Sequence, residues 1–93
     1  MHWTWDRAKA ETNKRKHGIS FELAEHGLGD PLAVTFPDPW PDEERWRTLC
    51  MPATGPAVVL FVVHTWPDNP AVPGRIISAR EASPAERRAY EEG

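Results

Sequence analysis

The run AVVLFVVHTW, residues 57–66, is apolar on both of its alternating faces and rich in Val. It is far too short to span a bilayer, and its composition suits a strand covered on both sides. It reads as the central strand of a sheet, with His64 as a hydrogen-bonded histidine inside the core. Strands flank it in sequence. LAVTF (32–36) alternates Leu32, Val34 and Phe36 against Ala33 and Thr35, the pattern of a half-buried strand. RWRTLCM (45–51) alternates less cleanly, with Arg45 and Arg47 on the face opposite Trp46 and Thr48. RIISAR (75–80) is a further strand with an arginine at each end. Proline-rich stretches, PDPWPDEE (37–44), PATGP (52–56) and PDNPAVPG (67–74), separate them. Such short connections between successive strands favour a mainly antiparallel sheet.

Helical signals lie at the two ends. In WDRAKAETNKRKHG (5–18), Asp6 caps the start and Gly18 suits the left-handed position after the end. Lys14, Arg15 and Lys16 then fall in the last turn, where the helix dipole favours positive charge. SFELAEHGLG (20–29) offers Ser20 as N-cap and an apolar stripe of Phe21, Ala24 and Leu28. SPAERRAYEEG (83–93) sets Ser83 and Glu86 in a capping box, with Pro84 at the first helical position. The expected fold is α+β: two N-terminal helices, a four-stranded mainly antiparallel sheet and a C-terminal helix, in one domain over residues 1–93.

Charge is segregated along the chain. Residues 1–20 hold five basic side chains against two acids, whereas residues 21–44 hold seven acids and no Lys or Arg. The formal net charge of -3 argues against strong non-specific nucleic-acid binding, but a local basic field can still receive an anionic substrate. The single Cys50 cannot form an internal disulfide; with no signal peptide visible, a cytoplasmic location is expected. No CxxC, HxH or HExxH spacing occurs among His2, His17, His26, His64 and Cys50, so neither a metal nor another cofactor is expected. No membrane association is expected either.

Two places could carry chemistry. Lys9, Asn13 and His17 recur every four residues on one face of the first helix, with Lys16 three residues from Asn13. That stripe could hold a phosphate and bring an imidazole to a ribose hydroxyl; a solvated helix end with dipole-matched charge explains the same residues. RIISAR could supply two guanidiniums to phosphate oxygens. The odd spacing of Arg75 and Arg80 sends them to opposite faces of a regular strand, so they share a site only across a bulge or a strand end. Pairing with nearby acids is the alternative.

These residues belong to a longer ordered set. Trp5, Asp6 and Lys9 open it, followed by Asn13 and the run Lys16 to Glu22. Asp30–Pro31, Glu44–Arg45, the strand end Val62, Val63 and Thr65, RIISAR (75–80) and ERRAYEE (86–92) complete it. In this order the chain resembles the BrnT family of toxins, the ribonuclease halves of bacterial type II toxin–antitoxin pairs. The resemblance implies a RelE-like fold, metal-free RNA cleavage and inhibition of translation. It also implies a ribbon-helix-helix antitoxin of the BrnA type, through which the complex binds promoter DNA. On that basis His17 or Lys16 serves as the base or acid, and Arg45, Arg75 and Arg80 clamp the phosphate. Lys9, Asn13, Glu86 and Tyr90 are candidates for substrate binding. Pro67 and Cys50 stand where the family often has an arginine and a glycine. The acidic segment 21–44 would attract a basic antitoxin. A non-catalytic partner-binding module, acting with an antitoxin as co-repressor, is the competing expectation; it differs in whether His17 and the arginines converge on one phosphate.

Overall fold

The computed structural model describes residues 2–93. In chain order the elements are β1 (Trp3–Thr4), α1 (Arg7–His17), α2 (Phe21–Leu28), β2 (Val34–Asp38), β3 (Arg45–Cys50), β4 (Leu60–His64), β5 (Gly74–Glu81) and α3 (Pro84–Glu92). The helices begin where their caps direct. The Asp6 carboxylate accepts from the Lys9 N–H, the Ser20 hydroxyl from Leu23, and Ser83 and Glu86 form the reciprocal capping box of α3. Gly18 ends α1 at φ 74°, a left-handed conformation that glycine adopts without steric cost.

The sheet corrects the expectation of four mainly antiparallel strands. It has five, in the order β1-β5-β4-β3-β2, and β1 pairs parallel to β5 while the other pairs are antiparallel. A two-residue strand has too few positions to show alternation, so nothing local announces it. Packing holds it: Gly74 donates its N–H to the His2 carbonyl at 2.9 Å, and a Cβ at Gly74 would collide with the Trp3 ring. A second correction concerns β2, which starts at Val34 and runs to Asp38 rather than spanning residues 32–36. Leu32 stays outside, 72% exposed, in a turn where its N–H donates to Asp30. Pro37 enters β2 because this is an edge strand, where a missing N–H disrupts no ladder.

As its sequence implies, β4 is covered on both faces. On one side α1 and α2 close a core of Phe21, Ala24, Cys50, Leu60, Val62, Ile76 and Ala79. Cys50 fits there because α2 passes over it at Gly27, where a Cβ would stand 2.9 Å from the Cys50 sulfur. Burial raises the Cys50 thiol pKa to about 12. On the other side Leu49, Val59 and Phe61 pack with Tyr90 of α3. His64 is 2% exposed, and burial lowers its pKa. Its Nδ1 lies 2.9 Å from the Thr65 carbonyl, which can only accept, so Nδ1 carries the proton. Nε2 therefore accepts from the Thr48 hydroxyl at 2.6 Å, and Thr48 in turn accepts from Thr35 at 2.8 Å.

Asn13 joins α1 to the sheet. Its amide donates to the carbonyls of Ala79 at 2.8 Å and Ile19 at 3.1 Å, and its Oδ1 accepts from the Ala79 N–H at 3.2 Å. The side chain thus pairs with β5 as a neighbouring strand would, beyond the point where β1 stops.

Candidate active site

A bulge in β5 decides what the arginines can do together. One step along β4, from Val63 to His64, answers two steps along β5, from Ser78 to Ile76. The extra residue reverses the side-chain parity beyond it. Arg75 and Arg80 therefore emerge on the same face despite their odd spacing. Arg45 and Arg47, alternate residues of β3, lie opposite Asp38 and Phe36 of β2 and share that face. The guanidinium carbons of Arg80 and Arg47 stand 4.1 Å and 5.8 Å from the Phe61 ring centroid. Arg45 lies 4.7 Å from the centroid of Trp40. Guanidiniums are attracted to aromatic ring faces, and their planar donor forks match carboxylate and phosphate oxygens.

Each of these guanidiniums is held by a carboxylate. Glu86 takes Arg80 in a two-pronged pair at 2.8 and 2.9 Å, and the bond from Arg80 brings the Glu86 pKa down to about 2. Asp38 accepts from Arg47 Nε at 2.7 Å, a bond that lowers its pKa. Glu43 holds two arginines: it accepts from Arg75 at 2.8 and 3.1 Å and from Arg45 Nε at 3.1 Å. Its pKa is lowered too, first by Arg75 and then by Arg45. The acidic segment 21–44 thus supplies counter-charge for the protein's own basic face. Glu22, Glu25, Asp42 and Glu44 have no ion-pair partner among the described residues.

The helix stripe is a separate surface. Lys9, Thr12, Lys16 and His17 line a shallow groove of about 350 Å³ with Ile77 and Ser78 of β5. Lys9, Lys16 and His17 are exposed and make no ion pair among the described residues. The structure does not bring them against the arginines, because α1 packs on the opposite side of the sheet. The two surfaces meet at the bulge: Ser78 borders the groove and also registers with Val63 on the arginine face. Asn13, by contrast, has both amide hydrogens committed to backbone carbonyls. The Tyr90 hydroxyl donates to Asp30 at 2.6 Å, tying α3 to the loop before β2.

Sequence reasoning missed Asp38, Glu43, Arg47 and Phe61. Arg47 was readable as the alternate neighbour of Arg45. Phe61 was absorbed into an apolar run, and the Glu43–Arg75 bond joins residues whose proximity only the sheet order creates. Among the described residues, no three His, Cys, Asp or Glu side chains gather as a metal site requires, and no helix is long and apolar enough to cross a membrane.

A mixed sheet flanked by helices, with guanidiniums from two strands above an aromatic floor, defines a class of small α+β proteins with one cationic sheet face. The chain belongs to the BrnT family, ribonuclease toxins of type II toxin–antitoxin systems, whose sequence profile matches residues 5–86. Its fold is similar to the 1.1 Å crystal structure of the ribonuclease toxin BrnT from Brucella abortus. The TM-score is 0.64 at 26% identity, over 89% of this chain and 99% of that one. No curated protein matches it by sequence.

Proposed function

We propose that this protein is the toxin of a type II pair that cleaves RNA without a metal ion and thereby inhibits translation in the cytoplasm. Its neutralising partner is a ribbon-helix-helix antitoxin of the BrnA type, and promoter DNA is engaged only through that partner. The observation that carries this reading is the convergence of Arg45, Arg47, Arg75 and Arg80 on one sheet face. Four cations there can neutralise successive phosphates and stabilise the extra charge of a phosphorane. In the reaction, a base removes the proton from the ribose 2′-hydroxyl. The 2′-oxygen bonds to phosphorus as the bond to the 5′-oxygen breaks, and an acid protonates the departing 5′-oxygen. The products are a 2′,3′-cyclic phosphate and a 5′-hydroxyl. His17 and Lys16 are assigned the proton transfers; because they lie across the sheet from the arginines, this requires the RNA strand to carry the reacting phosphate over the β5 bulge beside Ser78 to the α1 groove. Lys9 lies about two helical turns further along the same groove as a phosphate contact. Glu86 supports Arg80 rather than the substrate.

The test is purified protein with RNA in EDTA, for wild type, His17→Ala and Arg80→Ala, with the product ends identified. Cleavage to cyclic-phosphate ends by wild type, lost in both folded variants, is expected. Full activity of both folded variants would overturn the assignment. The second reading, a non-catalytic module that acts with an antitoxin, draws on the separation of α1 from the arginine face. It requires that wild type leave RNA intact while binding the product of a neighbouring antitoxin gene.

A further inference from the structure

We infer that Arg45 and Arg75 form a phosphodiester seat that Glu43 occupies in the free protein, so that substrate enters by displacing this carboxylate. The inference rests on the RNA-binding reading above and adds a resident competitor to it. Among the described residues Glu43 is the one carboxylate that joins two arginines of the face, one from β3 and one from β5. Its two oxygens receive three guanidinium hydrogen bonds of 2.8 to 3.1 Å, the pattern a phosphate group would accept from the same forks.

The three carboxylates of the face are not equally bound. Glu86 also accepts from the Ser83 N–H at 2.8 Å, so its departure would uncap α3. Asp38 also accepts from the Trp40 N–H at 3.1 Å and lies within β2. Among the described residues the Glu43 carboxylate has no partner besides the two arginines, and it sits in the β2–β3 connection between Pro41 and Arg45. It is therefore the group that can leave without breaking a cap or a ladder. Arg75 is 44% exposed at its side chain and Glu43 35%, so an incoming phosphate reaches both. The protonation state of Glu43 needs no change: one anion replaces another, and the displaced carboxylate is solvated.

The experiment measures binding of a fluorescein-labelled 2′-O-methyl RNA decamer, which lacks the nucleophilic hydroxyl, by anisotropy at fixed salt. The proteins are wild type, Glu43→Gln, Asp42→Asn, Arg75→Ala and the Glu43→Gln/Arg75→Ala pair. Asp42→Asn makes the same charge change one residue away, at a side chain with no ion pair among the described residues. Removing the competitor is expected to tighten binding about three- to tenfold, the scale of one or two partly exposed ion pairs. Asp42→Asn is expected to change it less than about twofold. Most of the Glu43→Gln gain should vanish in the Arg75→Ala background. Equal affinities for wild type and Glu43→Gln overturn the inference and leave the RNA reading standing. So does equal tightening by Asp42→Asn, or an undiminished gain without Arg75. If neither wild type nor Glu43→Gln binds the decamer while both are folded, the RNA reading falls and the seat with it.

Discussion

Replacing Asn13 with alanine is expected to cost about 3 kcal/mol of stability, because three hydrogen bonds of roughly 0.5–1.5 kcal/mol each are lost together. The bonds are those to the Ala79 and Ile19 carbonyls and from the Ala79 N–H, at 2.8 to 3.2 Å. Ala79 is fully buried and Asn13 is 8% exposed, so water restores little of what the substitution removes. Small domains carry about 5–15 kcal/mol in total, which makes this one side chain a large fraction. The melting temperature should fall by about 12–24 °C. Urea unfolding followed by tryptophan fluorescence measures the change, provided the slope with denaturant matches wild type. Asn13→Asp sharpens the test. It keeps the acceptor for the Ala79 N–H but sets a carboxylate oxygen against two carbonyls, so near neutral pH it should destabilise at least as much as alanine. A loss below about 1 kcal/mol for Asn13→Ala would refute the reasoning. So would unchanged stability combined with weakened RNA binding, which would return Asn13 to the substrate.

Four further outcomes follow from the core and the ion pairs. Burial lowers the His64 pKa, so the unfolded chain takes up this proton first as pH falls. Stability should therefore decline below about pH 6.5, by at most about 1.4 kcal/mol per pH unit for one group. The decline should disappear in a folded His64→Gln variant. A separate loss should appear at lower pH, below the ordinary carboxylate range, as Asp38, Glu43 and Glu86 protonate, since their stabilisation is present above that range and fades toward their lowered values. Gly74→Ala places a methyl against the Trp3 ring and 3.1 Å from the Thr65 carbonyl. It should cost about 1–3 kcal/mol, and hydrogen exchange should speed up at residue 74 while Val62 and Ala79 stay protected. Finally, the Cys50 thiol, buried and raised to about 12, should resist a disulfide reagent at pH 8 until the protein unfolds.

Much of this protein is written locally. Asp6, Ser20 and the Ser83–Glu86 box fix where the helices start, because a cap needs only residues within one turn of itself. The double-sided apolar run 57–66 identifies the central strand, because a period of two is visible within a few residues. Lys9, Lys16 and His17 could be placed on one helix face from spacing alone. What sequence spacing could not supply were the relations between distant segments. The parallel strand β1 exists because Trp3 lies over Gly74, a contact that neither residue signals by itself. The common face of Arg75 and Arg80 depends on one extra residue in β5, and the RIISAR spacing alone argued the opposite. Glu43 reads as one more surface acid until the sheet order lays the β2–β3 connection beside Arg75. Asn13 looks like a ligand group on a basic stripe until α1 docks and its amide meets the free edge of β5. In each case backbone and side-chain polar groups find partners only after the sheet is assembled, and those partners decide which charges remain available at the surface.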